Sequence, residues 1–326
     1  MQVNILCKDA KKKTLTMSAP LRFHIIQKFG WIIFLTKTIT PGHKKNIMIS
    51  LKTQKTIAHY LHQCFLLLLL MLLKIETIAQ DSIAYPWPEG KLAAISLSFD
   101  DARESQVIVG TTLLDQYGIK ATFFVVPSTM QRQLEGWKKA VANGHEIGNH
   151  SLTHPCMENF DWSRSNALEN YSLKTMQKNI AECNKKIEEL LGVKPEVFAY
   201  PCGQKYVGRG AKTKSYVPLV SKMFLAGRGW LDEAPNNPRY CNFAQLTGVE
   251  MDGKNFDEIL LLIEGAKKSG KWLLLAGHEM GEEGQQTTRL AMLKQLAEYV
   301  NNPANGVWIA PVGTIAKYIR DQDKEK

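Results

Sequence analysis

Two histidines four residues apart, His150 and His154, stand in the run Gly144-His145-Glu146-Ile147-Gly148-Asn149-His150-Ser151-Leu152-Thr153-His154, with Pro155 directly after it. This spacing lets two imidazoles reach one transition metal from the same side. Pro155 biases His154 away from helical backbone, which predicts a tight turn rather than a helix interior. By itself the pair reads equally as hydrogen-bonded imidazoles in a helical first turn. About 50 residues upstream lies Ser98-Phe99-Asp100-Asp101. Asp101, His150 and His154 together make a set of one carboxylate and two neutral imidazoles. Such a set leaves positions open on zinc, or on cobalt, nickel or manganese. A metal held this way polarises a carbonyl and activates water. Asp100, beside the ligand, is placed to take a proton from water, and His278, in Gly277-His278 far along the chain, to return one to a leaving group. Base and acid on opposite sides of a polarised carbonyl are what amide or ester hydrolysis requires.

Each residue also has a plainer reading. Asp101 is a candidate N-cap for a helix beginning at Ala102. His278 is a candidate hydrogen-bonded loop histidine, and Arg228, between two glycines, a candidate partner for any carboxylate. Cys156, close to His154, is a thiolate-ligand candidate, with a disulfide or a buried thiol as the stronger reading. No Gly-x-Ser-x-Gly, phosphate loop or Gly-x-Gly-x-x-Gly occurs, which disfavours nucleophile-elbow and nucleotide chemistry.

The elements that must position these residues follow an alternating pattern. Strands are predicted at Leu92 to Phe99, Ala121 to Val126, His145 to Gly148, Val197 to Tyr200, Met223 to Ala226, Trp272 to Leu275 and Val307 to Ile309. Helices are predicted over 102–117, 129–142, 171–191, 215–223, 255–269, 285–301 and 313–321, with Gly192 and Gly270 as stops. Residues 156–170 read as a polar loop and 232–248 as mostly irregular. Alternating strands and helices imply a mainly parallel sheet. About seven units over the length suit a single α/β domain built as a (β/α) barrel, with an open doubly wound sheet as the alternative. In either, the loops after the strands' carboxyl ends build the site. Asp100, Asp101, His150, the run Tyr200 to Gly203, Arg228 and His278 each follow a predicted strand.

The net charge of +10 is a local property: 12 of the 41 basic residues but only two of the 31 acidic ones lie in 1–79, leaving 29 of each sign in the remainder. The body is therefore neutral, and a nucleic-acid surface is not supported. From Leu61 to Leu73 the chain is almost wholly apolar, with Lys52 and Lys55 before it and Thr77-Ile78-Ala79-Gln80 after it. This reads as a signal peptide over 48–79, cleaved after Ala79, with an uncleaved anchor as the alternative. Residues 1–47 read as an upstream extension ahead of a start near Met48, and residues 80–326 as the catalytic domain, exported to the periplasm, cell envelope or medium with no stable membrane span. Four cysteines follow the signal, Cys156, Cys183, Cys202 and Cys241. An oxidising compartment permits disulfides, and sequence does not choose among the three full pairings.

Together these residues resemble the polysaccharide deacetylase family, also called NodB-homology proteins or family-4 carbohydrate esterases, over about residues 91–320. Ser98-Phe99-Asp100-Asp101 is similar to the first family motif, whose first aspartate is the base and second a metal ligand. His150-Ser151-Leu152-Thr153-His154 is similar to the second, the metal-binding histidine pair. Leu275-Ala276-Gly277-His278 is similar to the late motif that carries the general acid. Phe198-Ala199-Tyr200-Pro201-Cys202-Gly203 matches the third only in part. The family commonly has an arginine orienting the base where Ala199 stands, and a tyrosine, whose backbone amide helps hold the oxyanion, where Cys202 stands. The amide role can remain with Cys202, and Arg228 is the candidate substitute for the missing arginine. Of the fourth motif only Gly229-Trp230-Leu231-Asp232 is recognisable.

The resemblance implies a deformed barrel and a metal-dependent hydrolase, most simply with zinc, that removes N- or O-linked acetyl groups from an acetylated glycan. Trp230, Tyr200 and Trp162 are candidate sugar-stacking surfaces and equally candidates for core packing. The incomplete third and fourth motifs keep open a carbohydrate-binding protein without turnover, and the family's breadth keeps open a small non-sugar amide as substrate. The glycan and the oligomeric state stay unassigned.

Overall fold

A computed structural model of the chain describes residues 85–324 together with five earlier positions, His59, His62, Gln63, Phe65 and Leu66, all helical. The chain divides into two units, Met1–Leu70 and Met71–Lys326, and the fold described here is that of the second. The extension over 1–47 and the signal peptide over 48–79 lie, those five positions apart, outside the described residues. Among the described residues no helix is long and apolar enough to cross a membrane.

Eight strands form one sheet: β1 (Ala93–Asp100), β2 (Thr122–Val125), β3 (Glu146–Asn149), β4 (Val197–Ala199), β5 (Ala226–Arg228), β6 (Val249–Glu250), β7 (Trp272–Gly277) and β8 (Val307–Ile309). The path runs β5-β4-β3-β2-β1-β7-β6, with β8 also beside β1, and every pairing in it is parallel. Helices return the chain between strands: α1 (Thr111–Gln116), α2 (Leu134–Ala142), α3 (Leu173–Leu191), α4 (Val217–Met223), α5 (Phe256–Ser269), α6 (Leu290–Asn301) and, last, α7 (Val312–Lys324). Their ends carry the expected chemistry. Ser172 caps α3 through the Thr175 N–H, Asn255 and Glu258 form a reciprocal capping box on α5, and Gly192 and Gly270 close α3 and α5 in left-handed backbone.

The two edges of the sheet approach each other through the segment leading into β6. Gly229 N–H donates to Leu246 O (2.8 Å), Leu246 N–H to Gly227 O (2.8 Å) and Asp232 N–H to Gly248 O (3.1 Å). The sheet is therefore curled into the deformed (β/α) barrel expected from the alternation, and not the open doubly wound alternative.

β1 shows how the sequence divides its faces. All eight of its residues are buried. Ala93, Ile95, Leu97 and Phe99 point into the apolar layer formed with Ile259, Ile263, Leu293 and Leu296 of α5 and α6. The alternate residues are small and polar. Ser96 Oγ donates to Ala310 O and accepts from Trp272 Nε1, and Ser98 Oγ donates to Leu275 O. Asp100 ends this second face, so strand periodicity alone delivers its carboxylate to the mouth of the barrel.

Several boundaries differ from the sequence reading. The helix expected over 102–117 opens only at Glu104, because Asp101 (φ 73°) and Ala102 (φ 55°) are both left-handed. It then passes through a π-helical turn, Gln106–Gly110, before α1. Asp101 is thus not the cap of that helix. The fifth strand is Ala226–Arg228 rather than Met223 to Ala226, since α4 runs to Met223. The helix expected over 129–142 is broken into Pro127–Met130, a 3-10 turn and α2. Val249–Glu250 was not expected as a strand; two residues carry no periodicity.

Phe123 lies at the centre of the apolar layer, its ring 5.4 Å from those of Phe99, Trp137 and His145. Phe123→Ala is expected to cost about 3–5 kcal/mol of stability, read as a lowered midpoint in urea unfolding with no change in slope.

Candidate active site

Asp100, Asp101, His150, His154, Cys202 and His278 all line one cleft of about 760 Å³ at one end of the barrel. Arg228 lies behind the cleft wall, fully buried, with its guanidinium on Asp100.

The Asp101 and histidine group is compact. Asp101 Oδ1 is 3.5 Å from His150 Nε2 and 3.3 Å from His154 Nε2, and one ligand atom from each of the three lies within 4.8 Å of the others. His150 Nδ1 sits 2.9 Å from Ala199 O. A carbonyl only accepts, so Nδ1 carries a proton and Nε2 is the nitrogen turned to Asp101. Burial and the neighbouring His150 push His154 down to about 4, which keeps it neutral. Burial works against the Asp101 charge, but His150 and His154 outweigh it and hold the carboxyl far below the carboxylate range. One carboxylate and two imidazoles that both present Nε2 to Asp101 Oδ1 fit a zinc-type ion. Arg103, two residues on, donates through Nε (3.1 Å) and Nη2 (2.9 Å) to the other oxygen, Asp101 Oδ2, leaving Oδ1 for the histidines.

The turn that carries the histidines is held from α3. Asn149 Nδ2 donates to Ile180 O (3.0 Å) and Asn184 Oδ1 (2.7 Å), while its own Oδ1 accepts from Ser151 N–H (2.7 Å). Asn179 accepts from Leu152 N–H (2.8 Å) and donates to Thr153 Oγ1 (2.8 Å). Ser151 (φ 65°) and His154 (φ 49°) are left-handed, and Ser151 Oγ accepts from His154 N–H (3.0 Å). The turn predicted from Pro155 is this one.

Asp100 is held by Arg228, whose Nη2 donates to Oδ1 while Nη1 donates to Gly229 O (2.8 Å). The guanidinium also lies over the Phe124 ring at 4.9 Å. Burial raises the Asp100 pKa, yet Arg228, with His150 and His278, outweighs it and keeps the carboxyl ionised. Oδ2 is left toward the cleft, 3.8 Å from His150 Nε2. Arg228 pairs in register with Ala199 on the adjacent strand, so it stands one strand over from the position where the third motif has its arginine.

His278 is oriented by a residue that the sequence reading missed. Asp252 Oδ2 lies 2.8 Å from His278 Nδ1, and Asp252 Oδ1 accepts from His278 N–H (3.2 Å) and from Thr288 Oγ1 (2.6 Å). Burial lowers the His278 pKa, but the Asp252 hydrogen bond and the charges of Asp100, Asp101 and Asp252 outweigh it, leaving the imidazole above its ordinary value. The available signal was a carboxylate just past an apolar-to-acidic step, Val249-Glu250-Met251-Asp252, hidden because the strand is two residues long. Gln106 was missed as well. Its Nε2 donates to Asp100 O (2.7 Å) and His278 O (2.9 Å), tying the ends of β1 and β7 together.

Cys202 stands at the crest of a 3-10 turn, Pro201–Gly203, with φ 53°. It is disulfide-bonded to Cys156 (Cα–Cα 6.1 Å), the pairing that sequence left open, while Cys183 is a buried free thiol. His154, Cys156 and Cys202 also cluster within metal-ligand reach, but sulfurs bonded to each other are not thiolates, so Cys156 is no ligand here. Of the candidate stacking rings, Tyr200 is core, its hydroxyl donating to Ala244 O (2.7 Å). Trp162 is 61% exposed, 5.9 Å from the His154 ring and stacked on Phe160 at 5.6 Å. Trp230 lies edge-on to His278 at 4.7 Å.

The sign of the Asp252 effect can be tested without turnover. A partner that raises a histidine pKa keeps the proton on as pH rises, so its loss lets the proton leave at lower pH. Asp252→Asn is therefore expected to lower the His278 pKa in metal-free protein, measured by NMR titration of the ring protons. An unchanged or raised value would contradict the assignment.

Comparison with known proteins agrees with this geometry. The polysaccharide deacetylase profile matches residues 89–216, which hold the two aspartates, both histidines and Cys202. A peptidoglycan-N-acetylglucosamine deacetylase of Bacillus cereus is 27% identical over 235 residues, covering 70% of this chain and 99% of that protein. A gellan lyase of a Bacillus species is 23% identical over 73% of this chain, which spans only 10% of that much longer protein. The chain also spans a quarter of the Bacillus subtilis protein YlxY, at 34% identity over 91 residues. Among solved structures, one from Mycobacterium smegmatis assigned to the polysaccharide deacetylases shares the fold with a TM-score of 0.53 at 18% identity, over 74% of this chain and 95% of that one. Matching profile over residues 89–216, matching barrel and the motif residues gathered at its mouth point the same way: the chain is similar to the polysaccharide deacetylases in sequence, fold and site.

Proposed function

We propose that the protein is a metal-dependent hydrolase that removes acetyl groups from a carbohydrate, acting outside the cytoplasm on an acetylated glycan. The observation that carries this reading is the joint placement of Asp100, the Asp101 and histidine set, and His278 on one cleft. Asp101, His150 and His154 would hold a divalent ion, most simply zinc, which when bound supplies Lewis acidity to the acetyl carbonyl and to water. Asp100 takes the proton from water on Oδ2, with Oδ1 pinned by Arg228. The backbone N–H of Cys202, at the crest of its turn, donates to the oxygen on which negative charge develops. His278, protonated on the ring nitrogen opposite Asp252, gives its proton to the departing amine or alcohol. Trp162 and Phe160 offer an exposed apolar wall for the sugar ring beside His154. The apolar run after Lys52 and Lys55 supports export, and the Bacillus cereus relative supports an N-acetylglucosamine-containing glycan as the first substrate to try.

The absence of an arginine at Ala199 motivates a binding protein without turnover when only the sequence is read. Arg228 on Asp100 answers that motive, since the charge the family places on the base is present from the neighbouring strand.

The test is acetate release by the full chain from a panel of acetylated glycans: peptidoglycan, chitooligosaccharides, xylan and exopolysaccharide. Release is expected to stop with dipicolinate and return with zinc. Asp100→Asn is expected to lower kcat by at least ~10²-fold with zinc still bound. No release from any glycan by folded, zinc-loaded protein would overturn the reading. Arg228→Gln is expected to lower kcat by about tenfold or more. Ala199→Arg in the Arg228→Gln background should recover part of the loss, because the two positions are register neighbours. Recovery from neither arginine position would contradict the proposed orienting role.

A further inference from the structure

The reading above makes no use of the link between Cys156 and Cys202, yet that link joins the two turns on which the chemistry rests. Cys202 belongs to the turn that offers its N–H to the oxyanion. Cys156 lies two residues beyond His154. We propose that the Cys156–Cys202 disulfide is a positioning element of the site, holding the Cys202 turn and the His154 turn together so that hydrolysis runs in the oxidised protein and falls when the link is opened. This rests on the deacetylase reading.

The two ends of the link are unequal. Cys156 is the fixed end. It is fully buried, its N–H donates to Ser163 Oγ (3.0 Å), and its carbonyl accepts from Ser163 Oγ (2.8 Å) and Leu168 N–H (3.0 Å). The next residue is anchored too, with Met157 N–H donating to Gln204 Oε1 (2.8 Å). Cys202 is the held end. Its φ of 53° is a conformation that a residue with a Cβ adopts only where its surroundings impose it. Gly203 follows at φ 66°, so close to Trp230 that a Cβ would sit 3.0 Å from that residue's backbone N and O. A bond from the Cys202 side chain to a fixed point is a constraint of the kind such a turn requires.

The same sulfur pair contacts the histidine side. His150 has its Nδ1 fixed by a backbone carbonyl, the usual device for aiming a ligand imidazole. His154 turns its Nδ1 to Cys156 Sγ at 3.8 Å, and Trp162 flanks the ring. The disulfide therefore lies directly against the second histidine ring. Opening it frees both the oxyanion turn and the second histidine at once.

The opening step is a two-electron reduction. A phosphine takes oxygen from water to become the phosphine oxide, the S–S bond breaks, and each sulfur leaves as a thiol. Cys183 does not compete for the link: burial pushes its thiol pKa up, and its sulfur faces Val125 O at 3.9 Å.

The experiment uses the full chain, zinc-loaded, before and after reduction with tris(2-carboxyethyl)phosphine and again after reoxidation, with the Cys156–Cys202 link followed by peptide mapping. Reduction is expected to lower kcat about tenfold to a hundredfold with KM within about twofold, and reoxidation to restore it. Amide hydrogen exchange across residues 200–204 should speed up on reduction while β1 stays protected. The Cys156→Ser/Cys202→Ser variant should match the reduced protein and ignore the phosphine, whereas Cys183→Ser/Cys241→Ser should keep the full response. Unchanged kcat with the link fully open would overturn the proposal, and so would an equal loss when the phosphine is added to Cys156→Ser/Cys202→Ser, which would mark metal stripping. Unchanged exchange across 200–204 would overturn the holding itself. No acetate release from the oxidised protein would instead sink the deacetylase reading, and the exchange result would still judge the link.

Discussion

The structure turns on a charge pair buried between strands, Arg228 on Asp100. Two charges removed from water are costly unless each is paired and hydrogen-bonded, and breaking such a pair costs more than leaving it out. The local architecture is shaped to meet that demand. Arg228 spends one amine on Gly229 O and lies on the Phe124 ring. The segment that brings the sheet edges together passes so near that a Cβ on Gly248 would meet Arg228 Cδ and Gly229 O, each at 2.6 Å. The approach of Leu246–Gly248 to β5, which curls the sheet, and the seating of the guanidinium are therefore one packing problem. Barrel geometry and the state of the Asp100 carboxylate are not independent.

The cleft has two carboxylate-supported halves. On one, Arg103 occupies Asp101 Oδ2 and turns Oδ1 to the histidines. On the other, Asp252 fixes the tautomer of His278. Gln106 joins the halves through the carbonyls of Asp100 and His278, and it reaches both from a π-helical turn, a distortion that re-aims one side chain without ending the helix. A buried amide spanning two strand ends makes the separation of base and acid a property of the backbone rather than of side-chain rotamers.

Much of this was legible in the sequence because its periodicities are local. Strand alternation in β1 sends Asp100 inward; the histidine spacing with Pro155 gives a turn; Gly192 and Gly270 stop their helices. What was not legible depends on contacts across the sheet. Asp252 lies after a strand of two residues, too short for any pattern, and acts only through His278. The left-handed backbone at Asp101 and Ala102 erased a cap that the Asp-Asp pair suggested. The choice of Cys156 with Cys202, and of Tyr200 for the core rather than the cleft, follows from where β4 and the polar loop meet. Arg228 was a candidate from sequence, but its equivalence to the missing arginine is a matter of register between adjacent strands, which sequence does not print.

Left-handed backbone at residues other than glycine is concentrated at or beside this mouth: Asp101, Ala102, Ser151, His154, Cys202, Leu231 and Gln286 are all there. Each is disfavoured by about 1–2 kcal/mol relative to ordinary backbone, so one end of the barrel is kept away from its own conformational optimum. Three of the seven, Asp101, His154 and Cys202, carry side chains that glycine cannot replace. Selection for robustness therefore has little room at this rim, and sequence drift toward a sturdier fold should be met at the opposite end, among the apolar residues of α5 and α6. The barrel is in this sense divided, with one pole free to vary for stability and the other held to function.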